Sequence, residues 1–467
     1  MYIGDELNRS VKLAMDTGEA ATPEEARRIF EGYRLAVGVG TDVADSPTKQ
    51  AALLTAVNTA RRCFLGGVEV VNCPDAALLV PWQGCRTLRE AVADLQGKLV
   101  NDSHSREIPL IVIGDPEQKY VSERGTFAVH ATFDGWRAGV APLEDGLRLA
   151  EHQEFTPGGV LAGALGVSEA FQFVRGRNAH AGRRAVGLSL WRPEAEISWL
   201  DDKASGPAVE TLPSKLWLIG LGHLGQAFLW TLGFLPYADP KEVSLVLQDY
   251  DALVPANDST SPLTRRALVD QKKTRAMAHW CEARGFLTRI HERRFAANFK
   301  VDEDEPRVAL CGVDNEEARA ALEGVGFAQI IEAGLGLGTD EFLAFQMHSF
   351  PASKSARDRW GGRASSRSVE KLVGKPAYRA LAEEGLDDCG LTLLAGRSVG
   401  ASFVGCAVST LVVAELLRMA MGERRYEVVD GTLRDLENRL AISSEDLDFP
   451  FNPGLTRVSV QESLVLV

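Results

Sequence analysis

The run Leu216-Trp-Leu-Ile-Gly-Leu-Gly-His-Leu-Gly225 reads as a buried strand entering a glycine turn. A helical segment over 226–235 follows, then a second apolar run over 243–247 that ends in Gln248-Asp249-Tyr250-Asp251. Strand, glycine turn, helix and a strand closing on an acid form the nucleotide-binding βαβ unit. In such a unit Gly220 permits the tight turn, Gly222 lets backbone approach a phosphate, and Gly225 lets the helix pack close to the strand. The phosphates then lie on the helix N-terminus. Alone, this spacing equally describes an NAD-dependent oxidoreductase, with Asp249 on a ribose.

The residues downstream narrow that choice. Val254-Pro-Ala-Asn257 and Ser259-Thr-Ser261 come next, then Lys272-Lys273 at the start of a helix expected over 271–284. Val308-Ala-Leu-Cys-Gly-Val313 reads as a buried strand delivering Asp314-Asn315, with Arg319 one turn into the next helix. An oxidoreductase has no need of the later lysine and aspartate. This order of parts resembles the ThiF/MoeB and ubiquitin-activating-enzyme superfamily, over about residues 212–420.

The resemblance implies an enzyme that uses ATP and Mg2+ to adenylate the C-terminal glycine of a ubiquitin-like protein. By it, Gly220, Gly222 and Gly225 form the phosphate turn, Asp249 holds the ribose with Asp251 beside it, and Asn257 and Lys273 contact phosphates. Asp314 takes the position that is both catalytic and magnesium-binding. One position departs from the family, which commonly places an arginine three residues after the asparagine. Thr260 stands there, and Arg265 or Arg266 downstream is the candidate replacement. A second arginine is usually donated across a dimer from an N-terminal helix. Arg9, in a polar helix expected over 5–15, resembles that element. Cys389, next to Gly390, is the candidate for a thioester with the ubiquitin-like tail, although adenylate-only relatives have no such cysteine. Each residue also has a plainer reading: Lys273 as a solvated helix charge, Asp314-Asn315 as a helix cap, Arg9 as a surface residue.

The first half reads as a second α/β layer. Thr22-Pro-Glu-Glu25 signals a helix start. Apolar runs at 34–37, 67–71, 108–113 and 127–130 read as strands around a helix over 48–64. Gly159 to Glu169 can be laid over Gly405 to Glu415 at equal spacing, and Gly38-Val-Gly40 would be the remnant of a phosphate turn whose third glycine is replaced by Val43. The expected fold is therefore α/β with two Rossmann-like adenylation-type halves: a degenerate one over 1–200 and an active one over 201–425. A basic crossover loop is expected at about 352–388, and a tail of short strands over 426–467, including Ser463-Leu-Val-Leu-Val467. If the first half is a fused pseudo-partner, Arg9 completes the site in cis. Such a compact fusion resembles activating components of bacterial ubiquitin-like conjugation operons, including antiviral ones, with a conjugating enzyme as further partner. A homodimer remains open. The nearest rivals are family members that serve sulfur-carrier proteins or modify tRNA; a non-catalytic scaffold is the third.

Composition restricts the partners. The net charge of −13, from 51 basic and 64 acidic residues, disfavours nucleic acid, whose binding rests on clustered Lys and Arg. No apolar run was expected to reach the roughly 18 residues of a membrane span. The N-terminus lacks a signal-like apolar core. Seven cysteines with no CxxC pair leave neither a four-cysteine zinc site nor a disulfide framework, so no zinc and a reducing cytoplasmic setting are expected.

Overall fold

The computed structural model describes residues 3–101, 107–115, 126–361, 372–444 and 452–459. The Val-, Ile- and Leu-rich runs of each half pair into one sheet. In the first, the strands are β1 Leu35–Val39, β2 Val68–Val71, β3 Lys98–Val100, β4 Leu110–Ile113, β5 Ala128–Asp134, β6 Arg137–Pro142 and β7 Val186–Ser189. After β8 Thr211–Pro213, the second sheet takes β9 Lys215–Ile219, β10 Ser244–Gln248, β11 Leu287–His291, β12 Val308–Cys311, β13 Gln329–Leu335, β14 Ala344–Phe350, β15 Tyr426–Thr432 and β16 Leu440–Ser443. β17 Leu455–Arg457 pairs antiparallel with β8.

The two sheets repeat one topology. Their orders are β3-β2-β1-β4-β5-β6-β7 and β11-β10-β9-β12-β13-β14-β15-β16, identical place by place apart from the added outer strand. In each, the first five strands run parallel and the remainder antiparallel. The repeat inferred from Gly159–Glu169 and Gly405–Glu415 is real at the level of fold. Both stretches lie in equivalent helices, Thr156–Val174 and Ser402–Ala420. Both glutamates are buried and accept a backbone N–H beyond the helix: Glu169 from Gly182 at 2.9 Å, Glu415 from Tyr426 at 2.7 Å.

These two helices and their partners, Pro47–Ala60 and His223–Leu232, meet where the halves join. One apolar cluster runs through both halves, from Leu53 and Leu165 to Phe228 and Val412. Polar contacts lie within it: across the join Trp230 Nε1 donates to Thr55 Oγ1 at 2.9 Å, and inside the second half the Thr231 and Ser409 hydroxyls lie 2.6 Å apart. Glycines set how closely the helices cross. A Cβ at Gly159 would stand 2.1 Å from the Thr48 carbonyl oxygen, and one at Gly163 2.4 Å from that of Ala52. Ser402–Ala420 is long and apolar enough to cross a membrane by length and composition, contrary to expectation, but 94% of its most apolar window is buried inside the protein.

Two sequence expectations are corrected. The N-terminal helix is broken: Ile3–Glu6 and Lys12–Thr17 flank a turn that holds Arg9, because the Asn8 side chain captures the N–H groups of Ser10 and Val11 at 2.8 and 3.2 Å. The crossover stretch contains helices at Ala356–Trp360 and Pro376–Glu383, the second docked through Tyr378, which donates to Asp16 beside the buried Lys12. Residues 362–371 of that stretch lie outside the described residues. The strand signal at Tyr426 corresponds to β15, which pairs along β14, and β16 beyond it forms the edge of the second sheet. The strand expected over 463–467 lies outside the described residues.

Gly159→Val forces a branched side chain against the backbone of Thr48. It is expected to destabilise the protein by about 2–3 kcal/mol, read as an earlier denaturation midpoint. Unchanged stability would contradict the close helix crossing.

Candidate functional site

β9 and β12 are neighbours in the sheet, and strand order reverses between them. Ligands of open α/β sheets bind outside the strand C-termini at such a point. A cleft of 680 Å³ opens there, lined by Gly220 and Gly222, Asp249 and Asp251, Asn257, Lys273, Asp314 and Arg9 among others.

The turn shows why glycine is required. Gly220 sits at φ +81°, a left-handed conformation that glycine alone adopts without strain. Gly222 caps the His223–Leu232 helix, and a Cβ there would meet nothing within 4 Å. Gly225 does not line the cleft. A Cβ on it would stand 1.9 Å from the Gly220 carbonyl oxygen, so its role is the tight packing of helix on turn. Inside the turn, burial depresses the His223 pKa to about 4, leaving the imidazole neutral near pH 7.

At the end of β10, Asp249 accepts the Leu221 N–H at 2.7 Å and the Asp251 N–H at 2.9 Å. Lys273 Nζ stands 2.9 Å from Asp251 Oδ2 and 3.8 Å from Asp249 Oδ2. At 9% exposure Lys273 is no solvated helix charge. Asn257 folds its carboxamide back to the Val254 N–H at 2.9 Å, capping the short 3-10 turn Pro255–Ser259. After β12, Asn315 is the helix cap, accepting the Ala318 N–H at 3.1 Å. Asp314 is left exposed to the cleft and enters no ion pair among the described residues. Arg319 buttresses that corner: its Nε donates to the Val313 carbonyl at 2.9 Å and lies 2.9 Å from Glu332, a fully buried carboxylate that also meets His348 at 2.9 Å.

Arg9 reaches the cleft from the other end of the chain. Its backbone N–H donates to Ser259 Oγ at 3.0 Å, and Ser10 Oγ donates to the Gly400 carbonyl at 3.0 Å. Two predicted residues lie elsewhere. Arg265 does not replace the missing arginine at Thr260, because it is drawn out of the cleft into a two-point pair with Asp94, one arm at 2.6 Å. Cys389 is exposed at the start of the helix Asp388–Gly396 and does not line the cleft. That helix ends at Arg397–Gly400, which do. Arg293 and Arg294, just beyond β11, also line it and were missed, although a basic pair directly after a strand end is a readable signal. Among the described residues no group of three or more His, Cys, Asp or Glu is arranged to hold a metal by itself.

The matching corner of the first half is built differently. After β1, Gly40 leads into Thr41–Asp45, and Asp42 turns its carboxylate onto the backbone between β1 and β4. It accepts the Asp115 N–H at 2.7 Å and pairs with Lys49 at 2.7 Å and Arg148 at 3.1 Å. Burial opposes ionisation of Asp42, but the hydrogen bonds from Lys49 and Asp115 outweigh it and hold the group below its ordinary range. Glu154 likewise accepts the Thr48 N–H at 2.9 Å in the first turn of the next helix. Carboxylates of the first half thus accept backbone N–H groups at this corner, as Asp249 does for Leu221 in the second.

The fold and the glycine-turn cleft define an α/β protein with two Rossmann-like halves in one chain. Family models described as the BilD N-terminal domain and the BilD C-terminal domain match residues 34–190 and 212–423. The bacterial E1-like protein BilD of Collimonas sp. (strain OK412) is 44% identical over 436 residues, covering 92% of this chain and 93% of its own. The chain belongs to the BilD family. Among solved structures, Escherichia coli MccB with ATP aligns at 9% identity over 53% of this chain and 65% of its own, with a TM-score of 0.29. The E. coli tRNA N6-threonylcarbamoyladenosine dehydratase TcdA aligns at 13% over 44% and 86%, with a TM-score of 0.28.

The two turn glycines are expected to separate by assay. Gly225→Ala should lower stability by about 1–3 kcal/mol because its Cβ meets backbone. Gly222→Ala should leave the denaturation midpoint unchanged. Equal effects of the two would contradict this division of roles.

Proposed function

We propose that the chain activates a ubiquitin-like protein, using ATP with Mg2+ to adenylate its C-terminal carboxylate, and then carries it as a thioester on Cys389. The observation behind this reading is the convergence on one cleft of Gly220 and Gly222, Asp249, Asn257, Lys273 and Asp314 from the second half and Arg9 from the N-terminus. In the adenylation step a carboxylate oxygen bonds to the α-phosphorus of ATP while the bond to the bridging oxygen breaks and pyrophosphate leaves. Catalysis of such transfers is mostly positioning and charge neutralisation. The Gly222 N–H, at the start of the helix His223–Leu232, takes phosphate oxygens, and Asp249 holds the ribose. Lys273, Asn257 and Arg9 meet the phosphate charge, with Arg293, Arg294 and Arg397 available around the rim.

A lone exposed carboxylate suits magnesium, which takes one or two protein carboxylates and completes its shell with phosphates and water. Asp314 is the residue that would hold it, and the ion would supply neutralisation of phosphate charge.

For the second step the Cys389 sulfur attacks the acyl carbonyl, the new S–C bond forms, AMP departs and the thiol proton passes to solvent. Cys389 lies at the far end of a helix whose near end reaches the cleft rim, on the order of 12 Å away at 1.5 Å rise per residue. The acyl group must cross that distance, or the helix must move. A conjugating enzyme would then accept the thioester. We read the first half as inactive toward nucleotide, because Asp42 and Glu154 occupy the donors a phosphate would need.

ATP–pyrophosphate exchange with a ubiquitin-like partner tests both steps. Asp314→Ala is expected to reduce exchange by at least about a hundredfold, in the range seen when a transition-state-stabilising group is removed. Cys389→Ala should retain exchange but lose a thiol-reducible adduct with the partner. Exchange without an adduct in the parent protein would remove Cys389 from the mechanism, and no exchange with a validated partner would sink the activation reading.

A further inference from the structure

Asn257 and Thr260 are carried into the cleft by the segment 255–264, a short 3-10 turn followed by irregular chain. Irregular backbone must find partners for its carbonyls outside regular structure. Here they come from the other half of the molecule. Arg62, just past the end of the helix Pro47–Ala60, has a side chain only 1% exposed. Its Nη1 donates to the Asp258 carbonyl and, at 3.0 Å, to Asp258 Oδ1. Its Nη2 donates to the carbonyls of Pro262 at 2.9 Å and Thr264 at 3.3 Å. Its Nε donates to the Asn58 carbonyl at 3.1 Å, and Asn58 Nδ2 in turn donates to the Pro262 carbonyl at 3.0 Å. Arg61 adds a contact to Asp258 Oδ1 at 2.9 Å.

The backbone of Arg62 serves the second cleft-lining segment. Its carbonyl accepts Asn8 Nδ2 at 3.1 Å, and Asn8 shapes the turn that presents Arg9. The Arg9 N–H then closes the circuit on Ser259, within the same segment that the guanidinium holds.

We infer that Arg62 is a positioning residue for the nucleotide cleft, setting from the first half the placement of the Asn257 segment and of the Arg9 turn. It does not line the cleft, and the inference rests on reading that cleft as an ATP site. A lysine keeps the charge and the backbone carbonyl, but a single ammonium cannot span the carbonyls that the planar fork of five donors reaches together. The assignment also gives the first half a task that needs no nucleotide of its own.

Calorimetric titration of the full-length protein with magnesium-ATP tests this. The set comprises the parent, Arg62→Lys, Asp258→Asn, Asn257→Ala and the double variant Arg62→Lys/Asn257→Ala, each with a thermal unfolding curve. Arg62→Lys is expected to weaken binding about tenfold while Tm shifts by no more than a few degrees, and Asp258→Asn to weaken it in the same direction. The double variant should bind no worse than the weaker single one, because residues acting through one another are not additive. Parent-like binding by both Arg62→Lys and Asp258→Asn, or penalties that multiply in the double variant, would overturn the inference. If Arg62→Lys fails to fold, Asp258→Asn, altered at a loop position, decides alone. No magnesium-ATP binding by the parent would bring down the ATP reading itself, before any variant is compared.

Discussion

The packing of four helices where the halves join, closely crossed within each half, is the constraint on which the rest depends. Gly159 and Gly163 bring the helix Thr156–Val174 onto the Thr48 and Ala52 carbonyls, at distances no side chain would allow. The same logic recurs at Gly405, where a Cβ would stand 2.4 Å from His223 Nε2 beneath the glycine turn. Across the join, Ser402–Ala420 packs on Thr156–Val174 and Pro47–Ala60, and the two halves share one apolar core rather than forming two domains on a linker. Side chains from the first half therefore reach loops of the second with fixed geometry, and the N-terminal turn can lie along the cleft.

Two halves with the same strand order have taken opposite courses at the same topological point. In the second, the turn after β9 leaves Gly222 open and sets acids and a lysine around it. In the first, Asp42 folds inward between Lys49 and Arg148 and meets the Asp115 N–H. Both arrangements satisfy the same electrostatics, since donors at strand ends and helix starts favour negative charge. The first supplies that charge with Asp42, and the second with Asp249, which leaves Gly222 open to the cleft.

Much of this was readable in the sequence, where local pattern and tertiary structure agree. The strands at 216–219, 243–247 and 308–313, the glycine turn and the start of the helix at Lys273 all appear as their periodicity and turn chemistry demand. The equal spacing of Gly159–Glu169 and Gly405–Glu415 carried the repeat because both stretches meet the same packing and capping requirement. What could not be read depends on contacts between residues distant in the chain. Arg265 stood at a plausible offset from Thr260, but Asp94 claims it from 171 residues away. Arg62 had no motif to mark it, since its partners are carbonyls of a segment about 200 residues downstream. The helix expected around Arg9 breaks at Asn8, whose side chain competes for helical hydrogen bonds in a way the polar pattern of 5–15 does not disclose. The strand signal at Tyr426 does not itself state which sheet it joins.

A crystal structure of the protein with a non-hydrolysable ATP analogue would test the central claim most directly, namely that one cleft is assembled in cis from both halves. The account predicts a single nucleotide per chain, its phosphates on the Gly220–Gly222 turn with Asp249 on the ribose and the Arg9 of the same chain within hydrogen-bonding distance of phosphate oxygens. A nucleotide seated at the β1–β4 corner in place of Asp42, or an Arg9 turned away while a neighbouring copy supplies the contact, would contradict it.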